Sequence, residues 1–120
     1  MDGPAKPTSE FKMVTSRGIH VPRDPKVMTA KLRRKLRLNA YEAKEAQTVM
    51  KCVADGDTVI ELGGGIGFIS TLIAKKRAVK AVHSFEANPH LVPFHAQMHT
   101  ANGVTTVTTH NALLAARKGK

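Results

Sequence analysis

The regular alternation of apolar and polar positions starts at Tyr41. Ala46, Val49, Met50 and Val53 recur at i, i+3, i+4 and i+7, the spacing of one helix face. Asp55-Gly56-Asp57 predicts the end of that helix, with Gly56 as a left-handed C-cap. Thr58-Val59-Ile60-Glu61-Leu62 is short, apolar and β-branched, which predicts a buried strand. A glycine turn follows it. Phe68, Ile69, Leu72, Ile73 and Ala74 then take helical spacing up to Lys75-Lys76-Arg77, cations that suit the negative end of a helix. Residues 81–86 predict a second strand. Asn88-Pro89 opens a third helix with Pro89 in its first turn. The apolar side of that helix is Leu91, Val92, Phe94, His95 and Met98, and Asn102-Gly103 stops it. Residues 104–109, rich in Val and Thr, predict a third strand. Residues 111–120 are alanine-rich and basic and predict the start of another helix.

The chain before Tyr41 is less regular. Pro4, Pro7, Pro22 and Pro25 stand among polar residues without apolar periodicity, so residues 1–25 read as a flexible arm. Val14, Ile19 and Val21 around Arg17-Gly18 leave two alternatives, a short hairpin or an arm laid on the domain. Residues 31–38 read as a short basic helix with an apolar edge of Leu32, Leu36 and Leu38. From residue 26 to 120 the order is helix, strand, glycine turn, helix, strand, helix, strand. That is a leading helix plus a βαβαβ unit, hence an α/β fold with a parallel sheet.

Composition narrows the class. A chain of 120 residues has room for one domain. The single cysteine, Cys52, excludes an intrachain disulfide and argues against a cysteine zinc site; it reads as a small buried hydrophobe. No apolar run approaches the ~20 residues of a membrane span. The first residues lack the apolar core of a secretory signal. These features predict a soluble cytoplasmic protein of a reducing compartment. The net charge of +10 raises the possibility of a nucleic-acid partner. The basic stretch 31–37, however, carries no aromatic residue for base stacking. It reads first as a solvated helix face, second as a surface for an acidic partner, and nucleic acid comes last.

The candidate chemistry lies in Glu61-Leu62-Gly63-Gly64-Gly65-Ile66-Gly67, where a strand hands over to a helix. α/β sheets bind nucleotides at such positions. So many glycines lose much backbone entropy on folding unless a ligand needs the close approach. A dinucleotide fingerprint counted from Gly63 would need a third glycine at Phe68, so that register fails. The Gly-Lys-Ser/Thr of a phosphate-binding loop is absent. What remains is acidic-x-Gly-x-Gly-x-Gly on Glu61, Gly63, Gly65 and Gly67. A carboxylate at this strand end suits a cationic ligand and repels a pyrophosphate. S-adenosylmethionine (SAM) carries a sulfonium and an ammonium and no phosphate. Glu86, at the tip of the next strand, is placed to accept both ribose hydroxyls of a nucleoside, SAM or NAD. Asn111, after the third strand, offers an amide to an adenine edge.

These residues resemble the first half of a class I SAM-dependent methyltransferase, in wording nearest to the FkbM-type enzymes. The resemblance runs through Arg17-Gly18-Ile19-His20-Val21-Pro22, Tyr41-Glu42 with Glu45, the glycine segment, Phe85-Glu86-Ala87-Asn88-Pro89, and Asn102-Gly103-Val104 with Asn111-Ala112-Leu113-Leu114. It implies a partial Rossmann-like, doubly wound parallel sheet of about three strands. It implies SAM as cofactor, with Glu61, Gly63, Gly64, Gly65 and Gly67 around the methionine part. Glu86 would hold the ribose, and Ala87, Asn88, Asn111 and Ala112 would lie near the adenosine. It further implies methyl transfer to an oxygen of a small molecule or sugar. The catalytic base is unassigned, because the sheet of such enzymes continues for further strands that carry the acceptor pocket. The chain then reads as a truncated half, with the edge of strand 58–62 open to self-association or to completion by another chain. Two alternatives stay open: a non-catalytic half-domain that pairs with another chain, and an NAD-type nucleotide-binding half. His95 and His99, one helical turn apart, lack a third ligand nearby, so no metal site is assigned. Tyr41 and Glu45 either line the methionine side or lie on helix surface. Met50 and Met98 read as core.

Overall fold

A computed structural model of the chain describes residues 12–112. The elements are β1 (Met13–Ser16), β2 (Ile19–Pro22), α1 (Ala30–Arg37), α2 (Ala43–Cys52), β3 (Thr58–Leu62), α3 (Phe68–Lys76), β4 (Ala81–Phe85), α4 (Val92–Asn102) and β5 (Val107–His110). β3, β4 and β5 form a parallel sheet in that order, with Val59 beside Val82 and Val82 beside Val107. The α/β class and the βαβαβ unit are as the sequence predicts. Val82 and Ser84 are buried under the helices, and Phe68, Leu72, Ile73, Phe94 and Met98 complete that core.

Residues 13–22 depart from the flexible arm expected over 1–25. They form an antiparallel hairpin, the other alternative. The Arg17-Gly18 turn has φ of 51° and 79°, the left-handed pair that matches the twist of a two-residue hairpin. Val14, Ile19 and Val21 face inward and are buried, and Thr15 and His20 face out. Asn102 of α4 fixes the hairpin: its Oδ1 accepts from His20 N–H and its Nδ2 donates to His20 O, both at 2.8 Å. The packing order is therefore sheet, helices, hairpin. Residues 1–11 and 113–120, with the predicted terminal helix, lie outside the described residues.

Four local expectations change. The leading helix stops at Cys52, where Val53 turns extended, so Gly56 (φ 87°) serves the following turn instead of the cap. Pro89 precedes α4, and Pro93 occupies its first turn. Cys52 is exposed. β3 matches the predicted span but is not a buried strand. Ile60 and Leu62 are 65% and 62% exposed, because β3 is an edge of the sheet and no described helix covers that face. His83, Phe85 and His110 share the face, with His83 Nδ1 3.0 Å from His110 Nε2 and the Phe85 ring stacked on His110.

Candidate functional site

The glycine turn joins the carboxyl end of β3 to the N-terminus of α3. Its backbone is tied to the tip of β4: Gly63 N–H and Gly64 N–H both donate to Phe85 O, at 2.8 and 3.0 Å. Gly67 N–H closes the turn on Gly64 O at 2.9 Å. Gly63, Gly65 and Gly67 all have positive φ (76°, 58° and 89°), which explains why side chains are excluded from these positions.

The turn has a closed side and an open side. A Cβ at Gly64 would overlap Ser84 Oγ and come within 2.9 Å of His95 Cε1, and one at Gly67 would meet the same imidazole at 3.0 Å. Among the described residues, a Cβ at Gly63 would meet nothing within 4 Å, and one at Gly65 only the Tyr41 hydroxyl at 3.8 Å. The described side chains thus fill the floor of the turn and leave its outer face free.

Two carboxylates flank it. Glu61 accepts from the Ser84 hydroxyl at 2.6 Å, and burial pushes its carboxyl up to about 7. Glu42 and Glu45 add to that rise. Tyr41 has its hydroxyl near Gly65 and its ring T-shaped against Phe68, and burial followed by the charges of Glu42, Glu45 and Glu61 pushes its phenol up to about 12. It is a hydrogen-bond donor at any physiological pH. Glu86 is buried and points into the turn. Its Oε1 accepts from Gly65 N–H at 2.7 Å and its Oε2 from Asn88 N–H at 2.8 Å. Each carboxylate oxygen keeps a lone pair for a further donor.

The loops after β4 and β5 meet beside Glu86. Glu86 N–H donates to His110 O, and Ala112 N–H donates to Glu86 O. Asn111 Nδ2 donates to the carbonyls of Glu86 and Ala87, at 3.0 and 3.1 Å, so its amide N–H groups already serve the loop, leaving Oδ1 to face outward contacts. Asn88 Oδ1 accepts from His90 N–H at 2.9 Å. Ala87, Asn88, Asn111 and Ala112 are exposed. A cavity of about 470 Å³ adjoins Asn88 and is lined also by Asp24, Val27, Leu91, Phe94 and Gln97. All ten residues singled out from the sequence thus stand at one end of the sheet, around the turn or beside Glu86.

Two contributors were missed. Ser84 orients Glu61, and His95 forms the floor of the turn. A histidine between Phe94 and Met98 on an otherwise apolar helix face is the signal that marks the latter.

No protein-family model matches the sequence, and no curated protein matches it. Solved structures do. Trm5b from Pyrococcus abyssi is 26% identical over 82% of this chain and 27% of that one, with a TM-score of 0.62. TYW2 from M. jannaschii, solved in complex with AdoMet, is 19% identical over 94% of this chain and 46% of its own, with a TM-score of 0.64. An rRNA methylase from Streptococcus thermophilus is 14% identical over 59% and 38%, with a TM-score of 0.53. The fold is that of the class I SAM-dependent methyltransferases. The chain spans between about a quarter and a half of the length of these structures.

Proposed function

We propose that this chain forms the SAM-binding half of a class I methyltransferase. The observation that carries the reading is the glycine turn, open on its outer face and flanked by Glu61 on one side and the inward-pointing Glu86 on the other. These residues fit the cofactor. The free outer positions at Gly63 and Gly65 admit a ligand against backbone. Glu61 and the neighbouring acids offer negative charge to an ammonium and a sulfonium. Glu86 keeps acceptor capacity for ribose hydroxyls, and the exposed Ala87, Asn88, Asn111 and Ala112 border the adenosine side. Bound there, SAM would supply an electrophilic methyl group for in-line displacement. The chain's own contribution is to bind and orient, which accounts for much of the rate of such a transfer. Among known structures of this fold, TYW2 holds AdoMet, in line with the assignment.

Within this reading the acceptor is an oxygen of a small molecule or sugar. Its support is the FkbM-type wording of residues 59–68 and 85–89. The cytoplasmic location belongs to the same proposal and rests on the cysteine usage; no described helix is long and apolar enough to cross a membrane.

A second reading, a half-domain whose role is to pair with another chain, draws on one observation. Ile60 and Leu62 are exposed on a face and edge that no described element covers.

Calorimetry separates these readings. S-adenosylhomocysteine, NAD and a mixed-sequence RNA are titrated into the 120-residue chain. Saturable binding of the first alone is expected, and Glu86→Ala should weaken it by at least about tenfold, the scale of a charge-assisted hydrogen bond. Binding of NAD without S-adenosylhomocysteine overturns the cofactor assignment. Binding of RNA alone redirects the function to the basic surface.

A further inference from the structure

His95 forms the floor of the turn without contacting its open face, and it is the least expected residue of the core. It is fully buried on α4 between Phe94 and Met98, where an apolar side chain would pack without loss. Burial lowers the affinity of its ring for a proton, and the Gly65 carbonyl and Glu86 act in the opposite sense without reversing this. A buried neutral imidazole has one N–H and one lone pair to satisfy. Both are satisfied at the site. Nε2 lies 2.6 Å from Gly65 O, and Nδ1 lies 3.0 Å from the Thr109 hydroxyl on β5. A carbonyl only accepts, so Nε2 carries the proton. Nδ1 then accepts from Thr109.

Gly65 is thereby held from both ends of its residue. Its N–H is taken by Glu86 Oε1 and its C=O by His95 Nε2. The same ring lies so close beneath Gly64 and Gly67 that a Cβ on either would come within 2.9 or 3.0 Å of it. Glu86 is tied to β4 and His95 to α4 and β5, so three elements converge on one residue of the turn, through the two peptide units that flank its Cα. A leucine at 95 would fill the space but orphan the Gly65 carbonyl and release the Thr109 hydroxyl.

We propose that His95 is a positioning residue, a clamp from α4 and β5 that holds the glycine turn in its open-faced, ligand-ready shape before any ligand arrives. The inference rests on the turn being the cofactor's seat, and it deepens that reading. It assigns to His95 no contact with the ligand: the ring approaches the turn from the floor, opposite the free faces of Gly63 and Gly65. A preformed turn avoids the ordering cost that a loose glycine segment would impose on binding.

Amide hydrogen exchange of the unliganded 120-residue chain tests the clamp independently of the cofactor. The amides of Gly63, Gly64, Gly65 and Gly67 are the reporters, since each is hydrogen-bonded in the turn. In His95→Leu they should exchange about tenfold faster, the scale of one lost net hydrogen bond, while Val82 and Ser84 on β4 keep their protection. His95→Gln, whose amide N–H can stand near the position of Nε2, should restore most of the protection. Thr109→Val, which keeps the ring but removes its anchor, should give an intermediate acceleration and serves if His95→Leu does not fold. Equal turn protection in wild type, His95→Leu and Thr109→Val overturns the proposal, as does uniform acceleration of every amide in His95→Leu and His95→Gln alike. S-adenosylhomocysteine titration then separates the two levels. If the turn loosens in His95→Leu but wild type binds no S-adenosylhomocysteine, the clamp stands as a fold feature and the cofactor seat falls. If wild type binds and the variants bind equally with unchanged exchange, the seat stands and the clamp falls.

Discussion

Glu61 concentrates the chemistry of the site in one titration. Burial raises its carboxyl from 4.5 to about 7, while the Ser84 hydroxyl opposes the rise. Near neutrality it is therefore divided between its charged and neutral forms. A cationic ligand needs the charged form. Affinity for S-adenosylhomocysteine, which keeps the ammonium, should thus climb as pH rises through about 7, by up to about tenfold per unit below that value. In Glu61→Gln the climb should flatten, and calorimetry at several pH values reads this. Without ligand the same group acts in reverse. A carboxyl whose folded pKa is raised stabilises the fold at low pH, and that contribution is lost as pH rises from 4.5 through about 7. Half-buried His99, lowered to about 4 by desolvation and then by neighbouring His95, has the opposite slope: its contribution is present above 6.5 and lost as pH falls through about 4. Melting temperature of wild type minus that of Glu61→Gln isolates the carboxyl, and the difference should fall between pH 5 and 8. A flat difference would mean that Glu61 is not desolvated.

Among the elements, the hairpin carries the sharpest stability prediction. Asn102 is buried, with its amide spanning both backbone groups of His20 and also donating to Met98 O at 2.8 Å. Asn102→Ala would leave those groups unpaired and should cost about 1–3 kcal/mol, read as a lower urea midpoint, with faster amide exchange in β1 and β2. Asn102→Asp keeps the acceptor but loses the donor and should fall between. The link also shows where sequence reading succeeds. β3, α3, β4 and the stop at Asn102-Gly103 were legible because periodicity and turn chemistry act within a few residues. The glycine turn with its two acids was legible for the same reason, since Glu61 and Glu86 stand at ends of strands the pattern already defines. The hairpin was left between two alternatives because its stability comes from a residue 82 positions away in sequence. Ser84 and His95 were missed because their roles exist only once β4, β5 and α4 are brought under the turn. Cys52 and β3 were misjudged for burial for a related reason: exposure depends on which face a neighbour covers, and hydrophobicity along the chain does not encode that.

Charge and apolar surface pull the whole molecule in opposite directions. The acids Glu42, Glu45, Glu61 and Glu86 gather near the glycine turn, while α1 carries cations and no acid. The net charge is +10. Against that stands the open edge of β3, a five-residue strand whose alternate residues present backbone groups away from β4, with no described strand on that side, beside exposed Ile60 and Leu62. Two copies paired antiparallel along this edge would extend the sheet about a twofold axis and shield the two apolar side chains. One strand pair buries less than the ~1,200 Å² of a stable interface, and like charge opposes it, so association should be weak at low salt. Added salt screens the repulsion and leaves the apolar contact intact. Sedimentation velocity should therefore show a dimer that grows with both protein concentration and ionic strength. Binding to a polyanion would show the reverse salt dependence. Leu62→Lys and Ile60→Lys should each keep the chain monomeric without lowering its melting temperature, because both side chains are more than half exposed. A wild-type chain that stays monomeric at high concentration and high salt would show that the β3 edge does not pair with itself.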